Sequence, residues 1–127
     1  MTRVVPPCAE TVAGATDPTH RWVGVCPLDR LLPERGVAAL VGDVQVAIFR
    51  LHDGSVHAVG NVDPFSGAAV ISRGIVGDRG GVPTVASPVY KQVFGLVDGR
   101  CLDAADVSLP TYPVRIADGH LDVGLPW

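Results

Sequence analysis

Two stretches of this 127-residue chain gather side chains able to do chemistry: Asn61-Val62-Asp63-Pro64-Phe65-Ser66-Gly67 and Ser87-Pro88-Val89-Tyr90. Asp63, Ser87 and Tyr90 offer a carboxylate, a hydroxyl and a phenol, while Phe65 coordinates nothing. That is a poor set for any metal, since transition metals are selected by imidazole and thiolate donors. Tyrosine does ligate iron in some haem proteins, but a Tyr–Asp pair more often forms a hydrogen bond. Asp63 is expected instead to cap amides of its own loop, in an Asx-type turn before Pro64. The thiols Cys8, Cys26 and Cys101 have no Cys-x-x-Cys spacing and read as free thiols, the last two as small buried hydrophobes. His20, His52, His57 and His120 do not converge either. A two-residue Asp53-Gly54 turn would set His57 opposite Arg50 and away from His52. No nucleophile–base pair or acidic dyad emerges, so autonomous catalysis is not expected.

The elements that must position these residues are strands. Gly42-Asp43, Asp53-Gly54, Asp98-Gly99 and Asp118-Gly119 are hairpin signals, because Asp-Gly readily supplies the positive φ values of a type I′ turn. Strand-like runs lie between them at 22–26, 37–41, 44–51, 55–59, 89–96, 112–116 and 120–125. The last two alternate, with Tyr112, Val114, Ile116 and Leu121, Val123, Leu125 on apolar faces. Residues 44–51 are apolar on both faces, as in a central strand of a sandwich or small barrel. Only 27–32 and 103–109 suit helical turns, so the chain reads as all-β. The interval 61–87 departs from strand periodicity and holds Gly74-Ile75-Val76-Gly77-Asp78-Arg79-Gly80-Gly81. That run lacks the Lys-Ser/Thr pair and following helix of a phosphate loop, so its glycines serve sharp bends. Arg73 and Asp78 can brace that loop or touch a partner; Arg79 and Lys91 are the stronger interface candidates, as arginine is enriched at hot spots.

Composition narrows the classes. The chain is one domain's length and can bury roughly two-thirds of its unfolded surface. Its 15 glycines and 11 prolines suit many short strands and turns. A net charge of −3 with a single lysine gives no footprint for nucleic acid or an anionic membrane. No apolar run approaches the ~18 residues of a membrane span, and the first residues lack a signal peptide's apolar stretch, so a cytoplasmic protein is expected. Residues 1–19, with Pro6-Pro7 and Asp17-Pro18, read as a flexible arm before a domain at 20–127.

The two loops also carry a resemblance. Rieske domains place Cys-x-His in one loop and Cys-x-x-His in a second, two thiolates binding one iron and two imidazoles the other. The second loop runs on to an aromatic, a Gly turn and a Cys-Leu pair, matched here by Val93-Phe94-Gly95-Leu96-Val97-Asp98-Gly99-Arg100-Cys101-Leu102. At the ligand positions stand Asp63, Phe65, Ser87 and Tyr90. The segments 63–78 and 86–92 resemble the small subunit of assimilatory NADH-dependent nitrite reductase, a Rieske-like family whose ligand positions are likewise substituted. The similarity spans about 22–125 and implies an antiparallel β-sandwich or small barrel with only short helical turns.

The resemblance implies no cofactor in this chain, with Phe65 and Tyr90 filling the cluster's volume as packed rings. It implies a large-subunit partner carrying FAD, sirohaem and an iron–sulfur cluster, which reduces nitrite to ammonium with electrons from NADH. This chain would be a non-catalytic subunit docking through the tip around residues 63–91, with Arg73, Asp78, Arg79 and Lys91 as contact candidates. The other reading is a stand-alone Rieske-like binding module serving a different partner.

Overall fold

The computed structural model describes residues 20–104 and 106–126, with the side chain of Pro126 excepted; the expected arm at 1–19 lies outside them. Ten strands follow in order: β1 (His20–Pro27), β2 (Gly36–Val41), β3 (Val44–Arg50), β4 (Val56–Gly60), β5 (Ile75–Arg79), β6 (Val82–Ala86), β7 (Val93–Gly95), β8 (Thr111–Tyr112), β9 (Val114–Ala117) and β10 (His120–Pro126). They form three antiparallel sheets, ordered β1-β10-β9, β2-β3-β4-β8 and β5-β6-β7. Among the described residues, helical structure is limited to 3₁₀ turns at Leu28–Arg30 and Ile71–Arg73. The expected all-β, antiparallel architecture with only short helical turns is therefore what the described residues adopt.

The four-stranded sheet is the middle layer, and β3 is its centre. Val46 and Ile48 enter one core with Leu121, Val123 and Leu125 of β10. Ala47 and Phe49, alternating with them, enter a second core with Val85, Phe94, Leu96 and Ile71. All four β3 side chains are fully buried. Alternation across a pleated strand permits this two-sided role only if both parities are apolar. Val46, Ile48 and Phe49 each contribute about 1.5–3 kcal/mol through burial, and Ala47 less.

The interval 61–87 holds a hairpin that its sequence disguised. β5 and β6 pair from Ile75↔Ala86 to Arg79↔Val82, and Gly80 and Gly81 both take positive φ. This is the type I′ geometry expected of Asp-Gly, supplied here by Gly-Gly. Gly77 and Pro83 inside the strands erased the pattern, since both residue types are depleted there. Conversely, the strand anticipated over 89–96 shrinks to Val93–Gly95, because residues 87–92 form a turn. The β3–β4 connection also differs from expectation. It spans Leu51 to Ser55, so Arg50 pairs with Val56 and His57 lies opposite Phe49.

Gly36 ties the middle sheet to the third sheet's approach. A Cβ on it would collide with the Ser72 carbonyl and the Phe49 ring, so only glycine lets β2 lie against the Ile71–Arg73 turn. Gly36→Ala should therefore lower stability by about 1–3 kcal/mol, seen as a lower urea midpoint with an unchanged slope.

Two histidines near the β3–β4 turn titrate in opposite senses. Burial pushes the His57 imidazole below its ordinary 6.5, partly offset by Asp53. The hydrogen bond and charge of Glu34, 3.1 Å away, raise His52 above that value. The His57 contribution is whole above the unfolded pKa and lost as pH falls; the His52 contribution is whole below it and lost as pH rises through the raised value. Melting temperatures recorded from about pH 7.5 to about pH 5 should fall less steeply for His57→Gln and more steeply for His52→Gln than for the parent.

Candidate functional site

At one end of the third sheet β5 begins, β6 ends and β7 begins, with Ile75, Ala86 and Val93 in register across it. The two loops singled out in the sequence meet there. Asn61 anchors the first: its amide donates to the Gln45 carbonyl at 3.1 Å, and its Oδ1 accepts from the Ser72 amide at 2.7 Å. Asp63 then folds the loop on itself. Its amide donates to the Ala68 carbonyl at 2.8 Å and its own carbonyl accepts from Gly67 at 2.7 Å. Gly67 turns through φ +77°, a conformation costly for residues with a Cβ.

The Asp63 carboxylate is fully buried and accepts two hydrogen bonds. Oδ1 receives the Phe65 amide at 2.8 Å, the Asx turn expected before Pro64. Oδ2 receives the Ser87 hydroxyl at 2.5 Å, a bond across the two loops. Ser87 is equally enclosed and equally engaged. Its amide donates to the Gln92 carbonyl at 2.9 Å, its carbonyl accepts from Lys91 at 3.0 Å, and its Oγ accepts from the Val89 amide at 3.3 Å. Lys91 closes that turn at φ +64°.

The other two ligand-equivalent positions behave differently. Phe65 is 36% exposed, its ring tilted 46° against buried Phe94 with 6.2 Å between centroids. Tyr90 is 59% exposed. The expected filling of the cluster's volume by both rings is therefore incorrect: Phe65 covers Phe94 with one side and Tyr90 faces solvent. Inside, the volume is closed by the Asp63–Ser87 bond, and Asp63 pairs with Ser87 where a tyrosine partner had been considered. The physical reason is reach, since two short polar side chains meet directly while the aromatic positions lie further out on each turn.

Of the interface candidates, Arg73 and Lys91 lie at this end, each next to a loop and exposed. Asp78 and Arg79 lie at the far end of β5, about 13 Å along the strand. Asp78 braces that turn by accepting the Gly81 amide at 3.0 Å, and the pairing with Arg73 considered from the sequence is replaced by this bond. What sequence reasoning missed is apolar. Val62, Ile75, Val89 and Leu102 are 41%, 77%, 42% and 42% exposed around the same end, Ile75 and Leu102 flanking it through their pairing with Ala86 and Val93. Reading Gly80-Gly81 as a hairpin turn would have placed Ile75 there.

The buried pair makes a sharp thermodynamic test. Ser87→Ala should cost about 1–3 kcal/mol by leaving Asp63 Oδ2 without a donor, and Asp63→Ala should cost at least as much by orphaning the Phe65 amide as well. In a double-mutant cycle by urea unfolding, the two losses should fall short of additivity by more than about 0.5 kcal/mol.

Comparison with known proteins agrees with this arrangement. The chain matches the Rieske-like [2Fe-2S] domain family over residues 21–124. It is 46% identical over 100 residues to the nitrite reductase (NADH) small subunit of Escherichia coli K12, covering 78% of this chain and 93% of that one. A crystal structure from Mycobacterium tuberculosis, assigned to an NADH-dependent nitrite reductase small subunit, superimposes with a TM-score of 0.82 at 58% identity, covering 85% of this chain and 97% of the other. A segment forming 11% of the nitrite reductase [NAD(P)H] large subunit of Klebsiella oxytoca is 41% identical over 107 residues, 84% of this chain. The cluster in the domain family's description does not fit the residues present. Asp63 and Ser87 stand where thiolates are needed, Phe65 and Tyr90 where imidazoles are needed, and among the described residues no three His, Cys, Asp or Glu side chains gather to hold a metal. Fold, loop frame and relatives converge: the chain belongs to the Rieske-like family of nitrite reductase (NADH) small subunits.

Proposed function

We propose that this chain is the small, non-catalytic subunit of a cytoplasmic NADH-dependent nitrite reductase that reduces nitrite to ammonium in nitrate assimilation. Its partner is a large subunit carrying FAD, sirohaem and an iron–sulfur cluster, and the electrons pass through that partner. The small subunit binds and positions; it carries no cofactor of its own. The observation that carries this reading is the buried Asp63–Ser87 bond, which joins the two loops by a hydroxyl–carboxylate contact at the positions where a Rieske centre would have its thiolates. A hydrogen bond there offers no redox couple. Membership in the small-subunit family supports the partner, as does the Klebsiella oxytoca large subunit, which contains a similar module within its own polypeptide.

The purified protein should be colourless, with no visible absorption band and no stoichiometric iron after anaerobic preparation. Co-expressed with its cognate large subunit it should co-purify and raise nitrite-dependent NADH oxidation over the large subunit alone. A brown, iron-bearing protein, or a large subunit indifferent to its presence, would overturn the proposal.

A further inference from the structure

Among the described residues, six of the ten large apolar side chains that are exposed lie at one end of the third sheet or on its two loops: Val62, Phe65, Ile75, Val89, Tyr90 and Leu102. Scattered singly, such residues need no explanation; gathered at one end of a domain, they mark a surface made to be covered. Their backbones are not loose. Asp63 and Ser87 hold the two loops from within, and every backbone polar group of those two residues is paired inside the tip. The aromatic rings are thus displayed on a rigid mount, which reduces the ordering cost of association.

We infer that this end, centred on Val89 and Tyr90 with Phe65 and Ile75 beside them, is the surface that docks on the large subunit, against an apolar patch with an acidic margin. The inference rests on the proposed function. The margin is read from charge: Arg73 and Lys91 flank the apolar residues, and the acid beside them, Asp103, is already engaged by the Val93 amide at 2.9 Å. The chain as a whole carries −3, so a cationic rim here is a local reversal. A second copy of this chain is the poorer occupant. Two-fold pairing through this end would set Arg73 and Lys91 near their own counterparts, where like charges repel. Aromatic centre and cationic rim match the composition of interface cores and their borders. The polar contact set anticipated from the sequence is therefore divided, with Arg73 and Lys91 at the rim and Asp78 and Arg79 outside it.

Binding of the full chain to its purified large subunit, measured by titration calorimetry, tests the assignment. Val89→Asp and Tyr90→Ala alter exposed side chains, and each should raise the dissociation constant by roughly tenfold or more. Lys91→Glu should weaken binding and reduce its salt dependence. Val97→Asp, exposed beyond the other end of β7, should change affinity by less than about twofold. Parent-like binding by both tip variants would overturn the surface while leaving the subunit assignment intact. Failure of the unmutated chain to bind would overturn the subunit assignment itself. Sedimentation showing a parent dimer that Val89→Asp dissociates would assign the surface to self-association and also overturn the inference.

Discussion

Everything in this fold depends on β3 being buried on both faces. Val46 and Ile48 serve one core and Ala47 and Phe49 the other, so the strand is a shared wall between two hydrophobic compartments. Lateral pairing with β2 and β4 fixes its register, and a slip of one residue would exchange the contents of the two cores. The tip inherits its position from this wall. Phe49 lies against Gly36, Gly36 against Ser72, and the Ser72 amide donates to the Asn61 side chain that opens the first loop.

The tip itself shows how a metal-bearing scaffold can keep its shape with different chemistry. A cluster would bridge two loops through bonds to iron. Here Asp63 and Ser87 bridge them through one short hydrogen bond, supported by the backbone bonds each residue makes locally. Aspartate and serine are short enough to meet, and both are fully satisfied, so burial is tolerated. The rings of Phe65 and Tyr90, further out on the two turns, reach the surface. The same two turns thus present a buried polar bond on the inside and an exposed pair of aromatic rings on the outside.

Much of this was legible in the residues. The two-sided apolar run of β3, the alternation of β9 and β10, and the Asp118-Gly119 turn with both φ values positive were all readable because period and turn chemistry agree there. The β5–β6 hairpin was not, because Gly77 and Pro83 interrupt the strands and the turn uses Gly-Gly. The β3–β4 register was misread by assuming the shortest turn around Asp53-Gly54, where the chain instead closes five residues between strand ends. At the site, the Asx turn of Asp63 could be anticipated from its position before proline. The Ser87 contact could not, since it joins residues 24 positions apart and depends on how two turns face each other. Exposure of Tyr90 was equally hidden, because sequence tells which ring is present and not which way its turn points.

The Asp63–Ser87 closure has a consequence for the life of the protein. A cluster has to be assembled elsewhere, delivered and protected; a hydrogen bond forms when the chain folds. A tip held by carboxylate and hydroxyl is joined by the chain's own side chains, so its closure forms and is lost with the fold itself.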